Sequence, residues 1–101
     1  MDLESTKTRN NPDNNRFELL IRGETAFIDY TIGKSGSWYL IHTEVPESIE
    51  EKGVGTKLVR ESLHILDDMD VKIIPSCPFI KAYIKRNQDQ YQHLLADGFK
   101  I

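Results

Sequence analysis

Between a proline at position 46 and a long stretch of helical periodicity, the chain reads Glu50-Glu-Lys-Gly-Val-Gly-Thr-Lys57. A glycine-rich turn that opens a helix leaves several backbone N–H groups unpaired and aimed at one point, where the positive end of the helix dipole adds to them. Such a turn is an anion site suited to phosphates, and glycine lets a phosphate approach with no Cβ in the way. Gly53, Val54, Gly55 and Thr56 would supply the amides, while Lys52, Thr56 and Lys57 add charge and a hydroxyl at the rim. The spacing matches neither common nucleotide loop. A G-x-x-x-x-G-K-[ST] run is absent, and a dinucleotide loop needs a third glycine and an early βαβ unit. The plain alternative is that Gly53 and Gly55 only make a tight helix start.

Three further residues have side chains fit for chemistry. Cys77 follows an apolar strand, opens a helix and is flanked by Pro75 and Pro78. A helix N-terminus favours the thiolate, which would make Cys77 a usable nucleophile; the alternative is a small side chain packed in the core. His42 and Glu44 lie near the end of a strand in which strict alternation places Trp38, Leu40, His42 and Glu44 on one face. Their alternatives are a half-buried structural histidine and a solvated strand end. His64 falls on the polar side of a helix and His93 in a short last helix, so both read as structural or exposed. No metal is implied.

The elements that position these residues follow from periodicity. Residues 17–22, 25–32 and 37–45 read as three strands joined by turns at Gly23-Glu24 and Gly33-Lys-Ser-Gly36, an antiparallel meander ended by Pro46. From Thr56 to Met69 the apolar residues Leu58, Val59, Leu63, Ile65, Leu66 and Met69 recur at three- and four-residue spacing, which predicts a helix lying on a sheet. Residues 71–74 form a short strand, parallel to a neighbour because a crossover helix precedes it. Helices are predicted from Phe79 to about Asn87, with Pro78 in the first turn, and from Gln88 to Ala96, stopped by Gly98. The fold class is α/β (α+β), in the order β-β-β-α-β-α-α. Residues 1–15 are polar and read as a flexible tail, with order beginning near Arg16 and one domain over 16–101.

Bulk properties narrow the function classes. The chain has 101 residues, 39% hydrophobic and 29% charged, with a net charge of -3, which is one ordinary soluble domain with no general attraction to nucleic acid or anionic membrane. A single cysteine cannot form an internal disulfide, no run of about 18 apolar residues occurs, and no signal pattern opens the chain, so the cytoplasm is the expected compartment.

Taken in series, His42-Thr-Glu-Val-Pro46, Lys52-Gly-Val-Gly-Thr-Lys-Leu-Val59, Ile74-Pro-Ser-Cys-Pro-Phe-Ile80 and Tyr83-Ile84 resemble the small predicted-acetyltransferase family of the GNAT superfamily. The resemblance runs in matching order from about Phe17 to Leu95. It implies a compact GNAT fold with acetyl-coenzyme A along splayed central strands and its pyrophosphate on the amides of Gly53 to Lys57. It also implies that the Val45 N–H polarises the thioester carbonyl. His42 or Glu44 would then take a proton from an incoming amine, with transfer by direct attack in a ternary complex. Tyr83 and Tyr91 are candidate acids for the leaving thiolate, while Lys81 and Lys85 are phosphate contacts or a solvated face. The acceptor would be a small-molecule or peptide amine. Two alternatives go with it: an acetyl relay through Cys77, and a coenzyme A-binding module with little turnover. Glu50 stands where the family usually has Gln or Arg, and Glu51 where a glycine is common; carboxylates beside a pyrophosphate weaken its binding.

Overall fold

A computed structural model describes residues 6–99, and of Glu51 and Lys52 the backbone alone. The elements are β1 (Arg9–Asn11), β2 (Arg16–Ile21), β3 (Glu24–Ile32), β4 (Trp38–Glu44), a 3-10 turn (Glu47–Lys52), α1 (Val54–Asp68), β5 (Ile73–Pro75), α2 (Pro78–Arg86), α3 (Gln88–Tyr91) and a last 3-10 turn (Gln92–Leu94). The strands form one sheet in the order β1-β2-β3-β4-β5. Neighbours are antiparallel except β4 and β5, which run parallel. The expected mixed α/β architecture, meander and parallel crossover are therefore present, as is the C-terminal pair of helical segments.

Alternation builds the core on one side of the sheet. Phe17, Leu19, Ile28 and Leu40 are fully buried on the inner face, against Leu58, Leu63 and Leu66 of α1 and Ile80 and Ile84 of α2. The rings of Tyr83 in α2 and Tyr91 in α3 lie 5.7 Å apart, and Tyr91 in turn meets His64 of α1. The three helices thus pack on one another and on the same face. Tight connections hold the meander. Arg22 and Gly23 both have positive φ (50° and 79°), the geometry a two-residue hairpin needs to follow strand twist. None of the described helices is long and apolar enough to cross a membrane.

Order does not begin at Arg16. Residues 9–11 pair with β2 as an edge strand, which corrects the reading of 1–15 as a tail; residues 1–5 lie outside the described ones. The physical reason is that this segment is held by polar contacts, to which hydrophobic periodicity is blind. Tyr30 Oη donates to Asn10 Oδ1 at 2.6 Å, and Asn11 Nδ2 donates to Glu18 Oε2 at 3.2 Å. The Thr8 N–H donates to Glu61 Oε1 at 2.9 Å, while Glu61 Oε2 accepts from Lys57 Nζ at 3.0 Å.

This last tie has a measurable consequence. Burial alone would push the Glu61 carboxyl up, but the Thr8 amide and the Lys57 ammonium outweigh it and hold the group below its ordinary value. A depressed folded-state value contributes stability above the unfolded value, and that contribution is lost as pH falls through the folded one. Glu61→Ala is expected to cost about 2 kcal/mol in urea unfolding at neutral pH, because it leaves the Lys57 ammonium and the Thr8 N–H without their charged acceptor. Glu61→Gln should lose less stability than the parent chain on acidification below roughly pH 4. An unchanged acid profile would mean the carboxylate is not the tie.

Candidate active site

A gap in the sheet makes the site. β5 pairs with β4 only through Trp38↔Ile73, Tyr39↔Ile74 and Leu40↔Pro75. The Cys77 N–H donates to the Leu40 carbonyl at 3.0 Å, and there the chain turns into α2 with Pro78 in its first turn. Pro fits that position because the first helical N–H has no intrahelical partner to lose. β4 runs on past this point, paired to β3 alone through Asp29↔His42, Ile28↔Thr43 and Phe27↔Glu44. Between this unpartnered length of β4 and the N-terminal ends of α1 and α2 lies a cavity of about 470 Å³. Thr43, Glu44 and Val45 form its strand wall, Glu50, Gly53, Gly55 and Thr56 its turn wall, and Phe79 closes it from α2.

The turn wall is built as its residue types require. The buried Ile49 anchors the 3-10 turn, and Gly53 at φ 73° then reverses the backbone into α1. A left-handed conformation suits glycine, so the glycine belongs at the junction. The helix starts at Val54, two residues earlier than the periodicity predicts, with the Lys57 N–H donating to the Gly53 carbonyl at 3.1 Å. The N–H groups of Val54, Gly55 and Thr56 precede the first intrahelical donor. At Gly55 the space is tight. A Cβ there would stand 3.1 Å from the Phe79 ring and 3.5 Å from Val45 Cγ2. The backbone approach that a bound phosphate needs is therefore paired with a cradle that a side chain would fill.

The strand wall corrects one expectation. The pairing slips between Asp29 and Tyr30, leaving Ile41 as an extra residue opposite them, so β4 carries a bulge. A bulge presents two successive side chains on the same face and reverses the alternation beyond it. His42 and Glu44 thus stand opposite to Trp38 and Leu40, on the exposed outer face. There His42 Nε2 and Glu44 Oε1 are 3.0 Å apart, with both side chains more than half exposed. Thr43, not His42, continues the inner face, and its Oγ1 lies 3.4 Å from Cys77 Sγ. Cys77 is buried within the core cluster and caps α2 without a side-chain bond to its helix.

Other candidates separate from the site. Lys57 is buried and tied to Glu61, so its ammonium faces the strap at Thr8 and not the cavity; a polar residue on the sheet side of α1 found its partner there. Of Lys52, and of Glu51, the side chain lies outside the described residues. Tyr91 is buried, with its Oη 3.3 Å from His64 Nε2; burial first, then the neighbouring Tyr83 hydroxyl, pushes its phenol up to about 12. Neither tyrosine lines the cavity. His93 is exposed, 3.0 Å from Asp67. Two lining residues, Thr43 and Phe79, escaped the sequence reading. Phe79 looks like part of the α2 apolar stripe with Ile80, Tyr83 and Ile84, yet at the helix's first turn that stripe overhangs the cavity and leaves its ring 43% exposed.

Comparison with known proteins adds one finding. A family model described as GCN5-related N-acetyl-transferase matches residues 16–94. No curated protein matches the chain.

Proposed function

The chain belongs to the GCN5-related N-acetyltransferase family, and from that premise we propose that it transfers an acetyl group from acetyl-coenzyme A to an amine by direct attack. The observation that carries this reading is the splay after Leu40, which brings the amides of the Gly53 turn and the end of β4 to opposite walls of one cavity. Gly53, Val54, Gly55 and Thr56 would hold the pyrophosphate through backbone N–H groups, with Phe79 and Val45 as apolar walls. Bound there, the thioester supplies an activated acetyl group. Val45 follows the last residue paired to β3, and its N–H would donate to the carbonyl oxygen as negative charge grows on it. Glu44, through or beside His42, would take the proton that the attacking amine must lose. Thr43 lines the strand wall, and its hydroxyl would hydrogen-bond the leaving thiolate, which takes up the proton released by the amine through Glu44 or solvent.

Direct attack and the Cys77 relay make opposite predictions. Cys77 sits in the core with Thr43 on its sulfur and no base beside it among the described contacts. Cys77→Ala is therefore expected to keep turnover within about threefold of the parent, measured as release of free coenzyme A. Loss of turnover together with loss of acetyl label on the protein would favour the relay.

A specific observation favours the second reading, a coenzyme A-binding module. The Glu50 carboxylate lines the cavity, and Lys57 is spent on Glu61. The site's own test is a chemical-shift map on adding coenzyme A. Shifts confined to Val45, Cys77 and Gly53 to Thr56 are expected, and none at millimolar ligand would reject both readings. Coenzyme A release with a panel of amines then divides enzyme from binder. The proposed setting is the cytoplasm, supported by the free thiol of Cys77.

A further inference from the structure

We propose that the uncovered outer face of the sheet beside Glu44 is the acceptor platform, and that it takes a lysine carried on an extended peptide with an apolar neighbour. This rests on the acetyl-transfer reading. It starts from the fact that all three described helices stand on the inner face, leaving the outer face of β3, β4 and β5 without a helical layer.

On β3 that face is polar, with Thr25, Thr31 and the Arg16–Asp29 pair, but along β4 and β5 it is not the surface an open sheet usually shows to water. Tyr39 is 37% exposed and Ile41 is 47% exposed, and both point outward along β4, with half-buried Ile74 of β5 in register beside Tyr39. Exposed large apolar side chains on a folded domain are ordinary when single and informative when contiguous. Here they form a strip that leads directly to the proton-accepting pair. The bulge is what joins the two, because Ile41 and His42 are the successive residues it turns to the same face. An unbulged strand would have sent one of them into the core. Tyr39 and Ile41 are one side-chain repeat apart on the strand, about 7 Å. An extended peptide has the same repeat, so alternate side chains of such a peptide meet successive groups of the strip.

Charge selects the residue at the end of the strip. Glu44 and Glu50 line the cavity, and no cation is among its described lining residues. Two carboxylates at the mouth attract an ammonium and repel an anionic acceptor. A lysine with an apolar side chain nearby satisfies both halves of the surface. A free polyamine satisfies the carboxylates alone and leaves Tyr39 and Ile41 unused.

The test compares short blocked peptides that differ only in the side chain two positions from a single lysine, isoleucine in one and serine in the other. With acetyl-coenzyme A as donor, the isoleucine peptide is expected to show kcat/KM about tenfold higher, a preference that Ile41→Asp and Tyr39→Ser each erase. Both variants should bind coenzyme A in calorimetry as the parent does. Equal use of the two peptides, or a preference that survives Ile41→Asp, overturns the platform while leaving acetyl transfer standing. Spermidine used better than either peptide overturns it as well. Absence of coenzyme A binding by the parent overturns the acetyl-transfer reading and the platform with it. A dimer in sedimentation that Ile41→Asp dissociates identifies the occupant as a second copy of the chain, which also overturns the proposal.

Discussion

Exchange of Glu44 for glutamine is expected to lower kcat by about a hundredfold while leaving coenzyme A affinity unchanged or slightly tighter. The first effect follows from removing a proton acceptor, a contribution of roughly 10²–10⁴ where the group acts on the reacting atom. The second follows from position: Glu44 stands at the thioester end, away from the Gly53 turn, so its charge adds only a weak repulsion toward the cofactor's phosphates. Opposite directions for rate and affinity are what separate a base from a structural residue. Glutamine keeps the shape and a carbonyl oxygen within reach of His42 Nε2, now 3.0 Å from the carboxylate. The fold should therefore be untouched, and an unchanged melting temperature is part of the expected result. A parallel fall in kcat and affinity would show that Glu44 holds the site together instead. His42→Ala distinguishes the pair. If His42 relays the proton, its loss should approach that of Glu44→Gln; if Glu44 acts alone, the histidine variant should retain most of the rate.

Introduction of valine at position 55 is expected to weaken coenzyme A binding by tenfold or more, on the order of 1.4 kcal/mol or above. Two effects add. The new Cβ would stand 3.1 Å from the Phe79 ring, which must swing away or into the cavity, and 3.5 Å from Val45. The valine methyl groups also project where a phosphate must approach the amides of α1. In a helix interior, replacing glycine by alanine is favourable by about 0.5–1 kcal/mol, and by β-branched valine less. Here the contact with Phe79 offsets the small gain left to valine, so Gly55→Val should not raise the urea midpoint. A second change at Phe79, to leucine, relieves the clash but not the blocked approach. It is expected to recover stability without recovering affinity. Recovery of both would assign the whole effect to the ring and remove the case for the turn amides.

The glycine turn before the long helix was legible as a turn, because glycine types mark a tight helix start, and Gly53 at φ 73° makes it. The meander and the crossover helix were legible for the same kind of reason, since alternation and a 3.6-residue period are properties of neighbouring positions. The first strand was not legible. Arg9, Asn10 and Asn11 have no apolar pattern, and what orders them is a carboxylate 53 positions away from Thr8 together with the hydroxyl of Tyr30. The last helix, expected over Gln88 to Ala96, ends at Tyr91 and passes into a 3-10 turn, so its length was over-read while its place was not.

By itself the sequence determined the family pattern, the glycine turn that opens the long helix and the presence of His42, Glu44 and Cys77 around one strand end, because these depend on residue type and short spacing. The three-dimensional structure alone decided which of them share a face. One extra residue at Ile41, absorbed as a bulge opposite Asp29 and Tyr30, turned His42 and Glu44 outward and Thr43 inward to Cys77. It depends on how β4 registers with β3 while β5 leaves it after Leu40, a pairing between distant segments that no local period encodes. The same holds for Lys57: its charge is written in the chain, but only the folded strap at Thr8 and Glu61 takes it away from the glycine turn.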